Sequence, residues 1–170
     1  MNVPRERALL SAYISERFPK SHVKIDCPLG KVPEALTFEY GPTKAYRVYR
    51  VMRPKVDALI IERDRLILIE AKVIRWVDGI AKLLLYAGMI PFTPDLSEYY
   101  TLPITKRLVI PYAQDTMIEA ATANGIEVDE FTTPEINDYV QNDLARYNTR
   151  SYRREREARK DTLRMLGLEP

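Results

Sequence analysis

Asp57, Glu70 and Lys72 are the residues of this chain best placed for chemistry, because they interrupt the aliphatic runs "VDALII" and "LILIEAKV". If the two runs pair as a hairpin around Arg63 and Asp64, Ile61 faces Leu66 and Asp57 faces Glu70. Directly opposed residues hold their Cβ atoms about 5 Å apart. Lys72 lies two residues beyond Glu70 and points to the same side. Two carboxylates brought together repel, which raises the pKa of at least one, and a divalent cation between them removes that cost. Magnesium suits such a place, since it takes one or two protein carboxylates and completes its shell with water and substrate phosphate. A metal-bound water is a better nucleophile, and Lys72 is then available to orient or deprotonate it or to steady developing charge on phosphorus.

Such a site needs buried strands beneath it and helices around it. Each run holds five to seven residues rich in Val, Ile and Leu, as expected of strands covered on both faces. "VPRERALLSAYISERF" carries Ala8, Leu9, Ala12 and Tyr13 at helical spacing, and "HVKIDC" reads as a short strand. "PLGKVPEALTFEYGPTK" is broken by Pro and Gly and reads as an irregular excursion or hairpin. "AYRVYRV" alternates and reads as a strand. "VDGIAKLLLYAGMI" is a helix, "PFTPDLSEYYTLP" a long loop and "KRLVIPY" a strand. "DTMIEAATANG" is a helix closing at Gly125, and "IEVDEF" is a strand. "TPEINDYVQNDLARY" opens with a Thr cap and Pro at the first helical position, and "SYRREREARKDTLRMLGL" is a charged final helix. The expected architecture is α/β, a mixed central sheet with helices on both faces. Residues 1–145 form the domain, and 146–170 a helical extension.

The residues now carry a resemblance. "VDALII" followed by "LILIEAKV" resembles the PD-(D/E)xK nuclease superfamily, the restriction-endonuclease-like fold. There an Asp begins one strand and an acid-x-Lys ends the next. The match is Asp57, Glu70 and Lys72, with twelve residues between the acids, and with the preceding proline displaced to Pro54. The resemblance implies metal ligation by Asp57, Glu70 and the Ala71 backbone carbonyl, with Lys72 as catalytic lysine. It also implies a further acid from the first helix, Glu6 or Glu16. In one branch the next helix carries Gln-x-x-x-Tyr. Here "KLLLY" offers Lys82 and Tyr86, one turn apart, with lysine departing from the pattern. The function implied is Mg²⁺- or Mn²⁺-dependent hydrolysis of DNA phosphodiesters by a stand-alone domain of phage or mobile-element type. The same family includes silent members, so a structural or assembly protein, for example in a virion, is the alternative. For the bare pattern alone, a surface hairpin with a Glu70–Lys72 or Asp57–Lys72 salt bridge is the bland reading. The unbroken aliphatic flanks argue against it.

Charge and composition narrow the rest. One His (His22) and one Cys (Cys27) exclude an internal disulfide and leave too few soft ligands for structural zinc. Residues 146–170 hold eight Lys/Arg against four Asp/Glu, so the whole-chain net of +2 leaves −2 for residues 1–145. Arg150, Arg153, Arg154 and Lys160 are therefore candidates for phosphate contact, or the helix docks a protein partner or a second copy through its leucines. Arg47 and Arg50, interleaved with Tyr46 and Tyr49, are further nucleic-acid candidates. The longest apolar run, "LLLYAGMIPF", is too short to cross a bilayer. The charged N-terminal stretch lacks the apolar centre of a signal peptide. The expected location is the cytoplasm, or a virion for a phage-encoded protein.

Overall fold

The aliphatic runs form the centre of a five-stranded mixed sheet. The computed structural model describes residues 3–144 together with 158, 161–162, 164–165 and 167. The chain divides into two compact units, Met1–Thr132 and Thr133–Pro170.

In the first unit, helix α1 (Val3–Arg17) precedes β1 (His22–Pro28), and β2 (Lys55–Ile61) and β3 (Leu66–Ala71) follow. Helix α4 (Trp76–Met89) leads to β4 (Ile104–Ile110), and α5 (Asp115–Ala123) to β5 (Ile126–Glu130). The sheet order is β1-β2-β3-β4-β5. β1, β2 and β3 are antiparallel neighbours, whereas β4 and β5 add in parallel through the α4 and α5 crossovers. The β2–β3 register pairs Ile61 with Leu66 and Ala58 with Ile69, as the hairpin reading expects.

Alternation along β3 sends Leu66 and Leu68 to one face and Ile67 and Ile69 to the other, and all four are fully buried. The first face packs under α4 and α5 through Leu83, Met117 and Ala121, together with Leu108 and Ile126. The second lies under α1, whose Leu9 and Tyr13 are fully buried one turn apart. The Tyr13 hydroxyl donates to Asp129 at 2.6 Å and accepts from Arg107 at 3.3 Å, tying α1 to β4 and β5. Burial and the Asp129 bond push the Tyr13 pKa up to about 12.

Two segments differ from the sequence reading. "AYRVYRV" is not a strand but the end of a helix, α3 (Pro42–Tyr49), with Arg50 as its C-cap. Pro42 at its first turn fixes a helical φ, and Gly41, at φ 73°, supplies the left-handed bend that admits it. The apparent alternation is a period of three, Tyr46 with Tyr49 and Arg47 with Arg50, which belongs to a helix. The preceding stretch, expected as an irregular excursion or hairpin, instead contains α2 (Glu34–Tyr40) between Pro33 and Gly41. The tyrosine-rich loop contains two short 3₁₀ turns, Ile90–Phe92 and Pro94–Tyr99.

The base of the α2–α3 excursion is locked. Leu29 N–H donates to the Pro54 carbonyl at 2.8 Å. The buried Arg53 guanidinium donates to the carbonyls of Pro28, Leu29 and Gly30 and pairs with Asp95 at 3.2 Å. A buried arginine is tolerated only when its donors are satisfied in this way.

Gly79 sets how closely α4 approaches the sheet. A Cβ there would lie 2.5 Å from Leu108 Cδ1 and 3.0 Å from Lys72 Cγ. Leu108 is fully buried and has little room to yield. Gly79→Val is expected to destabilise the fold by about 1–3 kcal/mol through overpacking. The check is a denaturant melt; an unchanged midpoint would mean that α4 can lift away freely.

In the second unit, α6 (Pro134–Asp138) is capped by Thr133, whose hydroxyl accepts from the Ile136 N–H at 3.4 Å. A π-helical turn, Tyr139–Leu144, follows. Residues 158, 161, 162, 164 and 165 are helical, within the expected final helix. Arg150, Arg153, Arg154 and Lys160 lie outside the described residues.

Candidate active site

Four elements bring ionisable groups to one end of the sheet: the start of β2, the end of β3, the first turns of α1, and α4. Asp57 and Glu70 interlock through the backbone. The Asp57 N–H donates to Glu70 Oε1 at 3.3 Å, and the Ala71 N–H donates to Asp57 Oδ2 at 3.1 Å. Lys72 is buried, and its Nζ lies 3.4 Å from Glu70 Oε2, 3.5 Å from Glu6 Oε2 and 3.7 Å from Asp57 Oδ2. It also donates to the Ala71 carbonyl at 3.1 Å. Lys82 Nζ reaches Glu70 Oε2 from the other side at 3.3 Å.

Glu70 is fully buried. Burial, then the neighbouring Asp57 carboxylate, drive its pKa up to about 7, against the lowering pull of Lys72 and Lys82. Partial burial pulls the Lys82 pKa down, but Glu70 and Asp57 outweigh it and the net direction is up. Tyr86 belongs to the apolar core beneath α4, where burial, then Glu70 and Asp57, raise its pKa to about 12.

Of the residues expected from the sequence, Asp57, Glu70, Lys72, the Ala71 carbonyl, Glu6 and Lys82 therefore come together. Tyr86 lies in the core on the same helix. Glu16, near the far end of α1, forms an ion pair with Arg17 instead. His22, at the start of β1, is exposed. Arg47 and Arg50 are exposed on the α2–α3 excursion, which leaves the sheet at Pro28 and re-enters at Lys55, beside Asp57. Residues 29–54 hold five Lys/Arg against two Asp/Glu, so positive charge collects there within an otherwise acidic body.

The donor chemistry suits a hard divalent cation. Asp57, Glu70 and the Ala71 carbonyl all offer oxygen, and the raised Glu70 pKa records its burial first and the neighbouring Asp57 charge second, a charge that a cation would relieve. Among the described residues no three acid, His or Cys side chains already form a cation cage; the Lys72 ammonium stands among the carboxylates.

A cleft of about 610 Å³ opens from this cluster between α1 and β1. Two charged residues that line it, Arg7 and Asp26, escaped the sequence reading. They pair at 3.5 Å, and Asp26 holds a left-handed φ of 49° at the one position of β1 between the Ile25–Ala58 and Cys27–Val56 pairs that the register skips. Nothing in "HVKIDC" signals that register, which tertiary packing decides.

Comparison of the chain with protein-family models, curated proteins and solved structures finds no match.

Proposed function

We propose that this protein is a metal-dependent nuclease of the PD-(D/E)xK type that hydrolyses DNA phosphodiester bonds. The observation that carries the reading is the approach of three carboxylates, one fully buried, to a single buried lysine amine within 3.4–3.7 Å. A hairpin kept for stability alone gains little from such a cluster, because burying its charges costs more than surface pairing returns. Further support for the restriction-endonuclease-like fold comes from element order: α1 precedes the strands and delivers Glu6, and α4 follows Lys72 and delivers Lys82.

In this reading Asp57, Glu70 and the Ala71 carbonyl hold Mg²⁺ or Mn²⁺. When bound there, the cation supplies positive charge for phosphate oxygens and acidifies a coordinated water. Lys72 steadies the charge that grows on the phosphoryl oxygens as water oxygen bonds to phosphorus. The ester P–O bond then breaks, leaving a phosphomonoester and a hydroxyl. Lys82 holds Glu70 in place by donating a hydrogen bond to its Oε2, and Glu6 orients the lysine or the water. The cytoplasm, or a virion for a phage-encoded protein, belongs to the same proposal.

The test is cleavage of labelled duplex, single-stranded and four-way-junction DNA with Mg²⁺ or Mn²⁺. Cutting that EDTA abolishes supports the proposal, and silence on every substrate refutes it. The second reading is a catalytically silent assembly protein. Exposed Phe38, Val51 and Met52 favour it, since apolar residues gathered on one excursion mark partner surfaces.

Arg47 and Arg50 give a separate check. If they contact phosphates, replacing both by glutamine should weaken DNA binding uniformly across sequences. The slope of log affinity against log salt should fall by roughly 1–2. Fluorescence anisotropy over a salt series reads this; an unchanged slope would remove the excursion from the interface.

A further inference from the structure

The cleft beside the catalytic cluster has an apolar patch, Leu10, Ile14, Val23 and Ile25, set among charged residues and the hydroxyls of Ser11 and Ser15. On α1, Glu6, Leu10 and Ile14 follow one another at four-residue spacing, a stripe about 12 Å long running away from Lys72. The opposite wall is β1, where Val23 and Ile25 share one face. Ile25 is 54% exposed, unusual for an isoleucine on a strand beside a helix. Ser11 adds a hydroxyl to the α1 wall. Charged residues also line the cleft: Lys72 and Lys82 among the carboxylates, and Arg7 paired with Asp26 at 3.5 Å.

Such a cleft fits an occupant that is apolar in its body and, once the divalent cation of the nuclease reading offsets the three carboxylates, anionic at the cluster. A nucleotide has this form, with the base against Leu10, Ile14, Val23 and Ile25 and its phosphate at the lysines. A double helix keeps its bases stacked and cannot deliver one between α1 and β1 without unpairing it. The volume falls within the range of ordinary small-molecule pockets and is too small for a duplex.

We infer that the α1–β1 cleft is a nucleobase pocket that receives an unpaired base next to the scissile phosphate, so that the enzyme selects single-stranded or frayed DNA over blunt duplex. This inference rests on the nuclease reading and names its substrate class. Leu10, Ile14, Val23 and Ile25 carry no hydrogen-bonding groups to read a base edge, so the pocket is tolerant of base identity.

The test measures binding of a fluorescein-labelled twelve-residue oligo(dT) and of a blunt duplex of equal length, with Ca²⁺ replacing Mg²⁺. Wild type is compared with Ile25→Asp and Ile14→Asp, and cleavage by the same samples is then read with Mg²⁺. Ile25 is largely exposed, so its substitution leaves the fold intact, which a thermal melt verifies. The single strand is expected to bind at least 10-fold more tightly than the duplex. Ile25→Asp should remove about 10-fold of that affinity while changing duplex binding little. Equal binding of the two DNAs, or single-strand binding untouched by both substitutions, overturns the pocket; metal-dependent cutting in those samples would leave the nuclease reading standing. Absence of both binding and cutting overturns the two together.

Discussion

Replacing Lys72 by methionine is expected to lower the rate of DNA cleavage about 1,000-fold, equivalent to about 4 kcal/mol of lost transition-state stabilisation. The size follows from position. Its amine is the one cation within 4 Å of Glu6, Asp57 and Glu70 together among the described residues, and a preorganised charge in a water-poor site is worth far more than one in solvent. Methionine keeps the length of the side chain and its packing against Gly79, so the sheet should hold. Lys72→Arg should recover little, because a planar guanidinium cannot take the place of a compact ammonium. Single-turnover cleavage with DNA in excess of its Kd checks this, together with binding by anisotropy. A rate within about 5-fold of wild type would assign Lys72 a structural role only.

The second large effect concerns stability, and its sign is opposite to that of a usual active-site substitution. Glu70 has a pKa raised from 4.5 to about 7 in the fold, so the folded state binds this proton more tightly than the unfolded chain. Its contribution is fully present below about pH 4.5 and is lost as pH rises through about 7, with a total on the order of 3 kcal/mol. Glu70→Gln keeps the shape without the ionisation. In EDTA the variant is expected to match wild type near pH 4.5 and to exceed it by about 2–3 kcal/mol at pH 8, while losing cleavage. Urea unfolding at several pH values checks this. Parallel stability curves for the two proteins would show that Glu70 ionises in the fold at no cost. Added Mg²⁺ should stabilise wild type at pH 8 more than the variant, whose amide in place of the Glu70 carboxylate is a weaker ligand.

The hairpin that carries the site was legible because long aliphatic runs admit only buried strands, and the two residues between them fixed the register. The same runs made Asp57, Glu70 and Lys72 conspicuous. Helix α4 was legible from its length and from Pro91. The α2–α3 excursion was not, for α2 has seven residues and α3 eight, each bounded by Pro or Gly that signal breaks before they signal caps. Yet Tyr46–Tyr49 and Arg47–Arg50 recur at three, and that period was available to separate helix from strand. Arg53 carried no local mark, because its carbonyl partners at Pro28, Leu29 and Gly30 meet it only when the excursion closes. The cleft was equally hidden. Nothing in the sequence marks Ile14 and Ile25, which the rotation of α1 and the register of β1 leave lining the cleft.

The account depends most on Glu70 acting as an ionised ligand despite its burial. The most direct measurement is cleavage of DNA by wild type and Glu70→Gln, each with Mg²⁺ and with EDTA, after unfolding curves have shown both to be folded. The account predicts cutting by wild type in Mg²⁺ alone and none by the better-folded variant. Cleavage by Glu70→Gln at the wild-type rate, or cleavage that persists in EDTA, would contradict it.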